Sequence, residues 1–351
     1  MRWYSKHIKV DEICERDNLM KRNLILICVT TFIVSACQSE IEAELEKHGV
    51  SYDGVPEKPL AYIKSLPLEQ QAKVLKLRKR VLQNLVFVEG GGFVMGDIIE
   101  EVPEGTEGAV KVNLKEVEGK WFLDKNGYDE YFYWPHWVEL DSYSIAKYET
   151  TYGEADIFTE VTGREYFDKK RIEMNSIDRL PEKPVWFGAS WYDARAYCQW
   201  LGKITGEPFD LLSEAQWEYA ARSRGKALEF ATDNGEIDYG RNVKDHVFDG
   251  TKPPGSFPPN PLGVYDMSGN VREWVLDSYS SGFYEVSPIK NPIYDLESER
   301  RYKLSRGGGG LGDHEKWLDV FGRSRAKPDS TSAGHGVRCG VDSSEPVVVS
   351  N

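Results

Sequence analysis

The scarcity of helical spacing bounds the fold of this chain more tightly than any other feature of its sequence. Leu68, Ala72, Val74, Leu75, Leu77, Val81, Leu82 and Leu85 recur at three- and four-residue intervals, which predicts an amphipathic helix over 68–84 packed on the domain behind it. Ser190 with Asp193 three residues on caps a second helix, with Ala194, Tyr197, Cys198 and Leu201 on one face. Ser213-Glu-Ala-Gln216 is a capping box that opens a third, through Trp217 and Ala221. Beyond Arg222 the chain reads as short strands and long turns. Residues 85–96 read as two short strands joined through a glycine turn, and 137–146 alternate as one further strand. The 32 Gly, 19 Tyr and 10 Trp suit a loop-rich fold whose core is filled by aromatic rings. Trp134, Trp137, Trp186, Trp191, Trp200, Trp217 and Trp274 are expected there. No internal repeat or clean boundary divides 85–345, so one large α+β domain is the expectation, with 346–351 as a tail.

Charge and the N-terminus narrow the function. A formal charge of −13 excludes a surface that neutralises nucleic-acid phosphates. Lys21 and Arg22 precede an apolar run, 24–34, too short to span a bilayer comfortably and followed by small residues. This predicts a signal peptide over 1–36, with Met20 as the expected true start, because the acids at 11, 12, 15 and 17 do not suit a signal. Val34-Ser-Ala-Cys37 resembles the lipobox of bacterial lipoproteins, which implies that Cys37 is acylated, becomes the first mature residue and anchors the protein to the membrane. Gln38 after it implies the outer membrane, facing the periplasm or the surface. Residues 37–67, polar and punctuated by Gly and Pro, read as a lipidated tether.

Three longer runs carry a second resemblance. Pro184-Val-Trp-Phe-Gly-Ala-Ser-Trp-Tyr-Asp-Ala-Arg-Ala-Tyr-Cys-Gln-Trp-Leu-Gly202, Leu212-Ser-Glu-Ala-Gln-Trp-Glu-Tyr-Ala-Ala-Arg222 and Asn260-Pro-Leu-Gly-Val-Tyr-Asp-Met-Ser-Gly-Asn-Val-Arg-Glu-Trp274 resemble the formylglycine-generating enzyme, or sulfatase-modifying factor, family. Shorter blocks at 93–96, 147–151, 305–308 and 336–339 fall in the same order. The resemblance implies an irregular C-type-lectin-like α+β fold of antiparallel sheets, two main helices and much loop. It also implies a structural disulfide between Cys198 and Cys339, the two thiols left once Cys14 and Cys28 leave with the leader and Cys37 is acylated.

Enzymes of the family oxidise a substrate cysteine to formylglycine with two cysteines that hold copper(I), an ion that needs soft thiolates. The positions matching those cysteines hold Gly312 and Trp317. No copper, and no formylglycine-generating activity, is therefore expected. By the same resemblance calcium is expected at Asp266, Gly269, Val271 and Glu273, where hard oxygen donors flank a glycine turn. A second calcium would use Asn242, Val243 and Asp245. The former catalytic cleft is expected to be lined by Arg306, Asp313, His314, Glu315, Trp317 and His335. The resulting expectation is a cell-envelope lipoprotein whose domain binds a protein or glycan partner without catalysis. The alternative is a metal-dependent oxidoreductase of altered chemistry using His314, Glu315 or His335.

Overall fold

The computed structural model describes residues 40–96, 135–245, 250–295, 302–309, 318–332 and 334–348. The leader and Cys37 lie outside these residues. The chain divides into two compact units, 1–52 and 53–351. In the first, residues 40–47 are helical. The second holds everything that follows.

The tether expected over 37–67 is corrected in its second half, where Glu57–Lys64 forms a helix, α1. The prolines that read as punctuation are helix starts: Pro56 and Pro67 sit at the N-caps of α1 and of α2 (Leu68–Gln83). Pro59 falls in the first turn, where a missing N–H costs nothing. Ile63 of α1 is fully buried, and Trp200 Nε1 donates to Tyr62 Oη at 3.1 Å. Helix α2 buries Ala72, Val74, Leu75, Leu77 and Leu82, as its spacing predicts. Lys73 and Arg80 reach from it to Glu160 and Glu154 of α3 (Tyr152–Thr162), a helix the sequence reading passed over. Its signal was present, because Thr151 and Glu154 form a capping box in which each side chain accepts the other's backbone N–H. A short helix, α4 (Lys169–Glu173), precedes the two expected ones, α5 (Trp191–Thr205) and α6 (Glu214–Ala221). Both of these carry the capping boxes read from sequence, on Ser190 and Ser213.

Strands β1 (Leu85–Val88) and β2 (Gly91–Met95) do not pair with each other. The expected strand over 137–146 is broken into β3 (His136–Leu140) and β4 (Tyr143–Ala146). β1 pairs with β4 and β2 with β3, and one antiparallel register runs unbroken from Leu85↔Ala146 to Met95↔His136. The four strands are thus one long ribbon, kinked at Glu89-Gly90 opposite Asp141-Ser142. Gly90 permits the kink, since a Cβ there would meet the Leu140 carbonyl oxygen at 2.4 Å. One half of the ribbon joins β10 (Cys339–Asp342) and β5 (Phe209–Leu211) in a sheet ordered β1-β4-β10-β5. A third sheet runs β8-β7-β6-β9, built from β6 (Arg272–Ser278), β7 (Lys303–Arg306), β8 (Arg323–Ala326) and β9 (His335–Gly336), with β6 and β9 parallel.

Between the sheets lies a core of Trp217, Tyr143, Tyr219, Phe93, Val275 and Leu304 among others. Of the expected core tryptophans, Trp186, Trp191, Trp200, Trp217 and Trp274 are buried and Trp134 lies outside the described residues. Trp137 is only half-buried, because Val138 and Leu140 take the inward face of β3, and it lies instead over Gly92.

Cys198 and Cys339 form a disulfide, both side chains buried, that fastens α5 to β10. It closes a separation of 141 residues, within which β5 to β9 lie. Closing so long a loop restricts the unfolded chain strongly. Replacing both cysteines with alanine is expected to lower the unfolding free energy by about 2–5 kcal/mol, read as a fall in the guanidinium midpoint with a larger m-value from the less compact unfolded chain.

Candidate functional site

The turn leading into β6 gathers the residues expected to hold calcium. Asp266, Gly269 and Asn270 all have positive φ, at 62°, 147° and 59°. Asn and Asp tolerate this region better than other non-glycine residues, and here their side chains bond to neighbouring segments of chain. Asp266 Oδ2 accepts the Gly255 N–H at 2.7 Å, and Asn270 Oδ1 accepts the Lys252 N–H at 2.9 Å. Asn270 Nδ2 donates to Glu149 Oε2 at 2.5 Å, and the other Glu149 oxygen accepts the Val271 N–H. Glu273 is turned away from this turn, since both its oxygens accept from Arg338 Nε, at 2.8 and 2.9 Å, and Trp217 Nε1 donates to it at 2.6 Å. Arg338 also donates to the Ala146 and Tyr265 carbonyls, at 2.9 and 2.7 Å.

Three carboxyl groups, Glu149, Asp266 and Glu273, therefore stand around one guanidinium. Burial, then Asp266 and Glu273, push Glu149 well above the usual carboxylate range; burial pushes Asp266 up to about 6. Such a surplus of hard oxygen donors beside a glycine turn fits a calcium ion at Asp266 and the Gly269 and Val271 carbonyls. The fit does not extend to Glu273, whose carboxylate is committed to Arg338 and Trp217.

The second expected set does not fit. Asn242 spends its side chain inside its own loop, accepting the Asp238 N–H at 2.8 Å and donating to the Glu236 carbonyl at 2.9 Å. The Val243 carbonyl accepts the Gly240 N–H, and Asp245 is exposed. A shallow pocket lies between the two loops, lined by Thr232, Val243, Lys244, Lys252, Asp266 and Ser268. Among the described residues, no three His, Cys, Asp or Glu side chains are grouped to hold a metal ion.

The expected cleft is corrected at Arg306, which is fully buried and lines no opening. Its guanidinium pairs with Glu218 and donates to the carbonyls of Val320 at 2.8 Å and Phe321 at 2.6 Å. Glu218 also pairs with Arg222 at 2.7 Å and accepts the Gly96 N–H at 2.9 Å. Arg323 pairs with Glu214 at 2.7 Å. Although burial pushes Glu214 up, Arg323 and Arg306 hold it below the usual carboxylate range. Asp277 beside it forms no ion pair among the described residues, and burial together with Glu214 raises it to about 7. Sequence reasoning missed this lattice. The signal was in α6, where Ala215, Trp217, Tyr219, Ala220 and Ala221 leave no polar face, so Glu214, Glu218 and Arg222 had to be buried and paired.

His335 is the other cleft residue described, and Asp313, His314, Glu315, Trp317 and Gly312 lie outside the described residues. The His335 ring stacks on Trp274, with centroids 4.3 Å apart and planes at 16°. Burial, then the nearby Arg272, lower its pKa to about 4.

The frame is α+β and loop-rich, with antiparallel sheets, few helices, one disulfide and buried arginine–carboxylate pairs. The sequence profile of the sulfatase-modifying factor enzyme 1-like domain matches residues 71–343, and the chain belongs to that family. It is 30% identical over 266 residues to serine/threonine-protein kinase pkn1 of Chlamydia pneumoniae, covering 74% of this chain and 38% of that protein. It is 33% identical over 185 residues to the formylglycine-generating enzyme of Streptomyces coelicolor, covering 48% and 55%. It is 30% identical over 169 residues to the inactive C-alpha-formylglycine-generating enzyme 2 of Bos taurus, covering 45% and 50%. PvdO from Pseudomonas aeruginosa superposes with a TM-score of 0.55 at 25% identity, over 74% of this chain and 94% of that one. The match spans less than two thirds of each of the three curated relatives.

The His335 environment fixes a pH dependence. The neutral ring is favoured in the fold, so an unfolded chain takes up the proton first, and stability from this group is complete above about 6.5 and lost as pH falls toward about 4. A shift of that size corresponds to roughly 3 kcal/mol. His335→Phe, which keeps the ring stacked on Trp274, is expected to lose less stability than the parent between pH 7 and pH 4. Urea unfolding at both pH values checks this, and the difference between the two proteins cancels the buried carboxyls common to both.

Proposed function

We propose that this protein is a lipid-anchored cell-envelope protein whose formylglycine-generating-enzyme-like domain binds a ligand or protein partner without catalysing the family's oxidation. One observation carries the reading. Between residues 71 and 343 the chain contains two cysteines, Cys198 and Cys339, and both are consumed by the buried disulfide. Copper(I) bound through a thiolate pair needs two further thiols in the same domain, and the positions matching them by resemblance, 312 and 317, hold Gly and Trp. A relative named as inactive supports the same reading. Acylation of Cys37 and outer-membrane placement rest on the Val34-Ser-Ala-Cys37 resemblance.

Calcium in this reading is structural. Asp266 would hold it with the Gly269 and Val271 carbonyls, which would neutralise the carboxyl surplus around Arg338 and stiffen the turn into β6. Its expected effect is a rise in thermal midpoint on adding calcium that magnesium does not reproduce and that Asp266→Ala abolishes; an equal response from that variant would remove the site.

Copper-reconstituted protein incubated with a sulfatase-motif cysteine peptide is expected to form no formylglycine, measured by mass spectrometry against the Streptomyces coelicolor enzyme run in parallel. Turnover by this protein would overturn the non-catalytic reading. Metabolic labelling with a fatty-acid analogue is expected to mark the parent and not a Cys37→Ser variant.

A further inference from the structure

The sheet ordered β8-β7-β6-β9 ends on β8, which pairs with β7 along one side. Among the described residues no other backbone hydrogen bond reaches β8. The chain through it reads Arg323-Ser-Arg-Ala-Lys327, three cations and no acid, in a protein of formal charge −13. Arg323 is spent on Glu214 and on the Ser280 carbonyl. Lys303 of β7, over the Trp191 ring, is spent on Asp295 at 2.8 Å.

Arg325 is different. It is exposed, and among the described residues it has no carboxylate partner. Its guanidinium lies 4.2 Å from the Tyr279 ring centroid and 5.6 Å from that of Tyr302, which is itself 44% exposed. Both rings lie within cation–π range of the planar group, and among the described residues nothing accepts from its N–H donors. A guanidinium fixed in this way has already lost much of the side-chain freedom that binding removes, which is the character of an interface anchor.

Charge on an edge strand also protects it against pairing with its own kind. That protection needs only a solvated cation, and a lysine serves it as well. Clamping an arginine between two tyrosines adds nothing to protection and much to recognition of a carboxylate. We propose that β8 docks an extended acidic segment of a partner protein by strand addition, one carboxylate pairing with Arg325 and the Tyr302 ring packing against the neighbouring side chain. Backbone bonds to the strand edge would supply affinity, and Arg325 with Lys327 the preference for acid. This surface does not depend on whether the family's cleft retains a ligand.

Fluorescence anisotropy of a labelled eight-residue peptide of alternating Glu and Val, titrated with the full chain, tests it. Saturable binding is expected, weakened about tenfold or more by Arg325→Ala and by Arg325→Lys alike, as for an anchor residue. Unchanged thermal midpoints of both variants would show that they fold. Amide exchange over 323–326 is expected to slow when the peptide is bound. Three results would overturn the proposal: no saturable binding, equal binding of a Lys–Val peptide, or full retention in Arg325→Lys, which marks bare charge attraction. Stronger Arg325-dependent binding to phosphatidylglycerol vesicles than to the peptide would overturn it too, in favour of a lipid surface.

Discussion

Pairing of buried arginines with buried carboxylates is the constraint the rest of this structure depends on. A domain with few long elements presents many backbone groups to its interior, and each needs a partner. Arg306 satisfies three such carbonyls in the 320–322 turn while neutralising Glu218. Arg338 does the same for the Ala146 and Tyr265 carbonyls while neutralising Glu273. Removing one member would leave its partner charged and unpaired in the core, at a cost of about 3–5 kcal/mol. The ion pairs thus act as the cross-links between loops that hydrogen-bonded ladders supply in regular folds. The side chains that touch them, Trp217 above all, are placed by them.

This arrangement explains what the sequence disclosed and what it hid. Helices α2, α5 and α6 were legible because spacing and caps are local signals. The third capped helix, α3, carried the same signal and was passed over, because its cap Thr151 was read only as the end of the 147–151 block. The ribbon was harder: alternation over 137–146 marked the stretch as strand but not which residues face inward, since Trp137 was expected in the core where Val138 and Leu140 lie, and nothing local announces a kink that depends on Gly90 meeting the opposite chain. Buried charges were the main failure. Arg306 read as a cleft residue because it stands in the block that resembles the family's catalytic region, and its partner Glu218 lies 88 residues away in α6. Only the absence of a polar face on α6 hinted that its charges were interior. The turn into β6 was singled out only through the family resemblance, which grouped Glu273 with Asp266, whereas Glu273 pairs with Arg338 by tertiary contact across 65 residues.

Function is bounded chiefly by what the disulfide uses. Fastening α5 to β10 occupies every thiol between 71 and 343, so the same bond that holds the frame leaves no free thiol there. A frame kept rigid by buried pairs can lose a reactive centre without losing its shape. Its surfaces then become available for recognition, which demands stable geometry more than reactive groups. The aromatic-held arginine at the rim of β8 belongs to that economy of fixed side chains.

The single register of the kinked ribbon has a consequence for how such a domain changes over time. Pairing is fixed on both sides of the kink, where one inserted residue would turn every following side chain to the opposite face. At the end where Met95 pairs with His136 the two strands are joined in sequence by 40 residues. Length added at that point leaves every cross-strand partner where it was. The ribbon therefore works as a graft site, able to take on new segments at its tip while its pairing, and the two sheets it links, stay as they are.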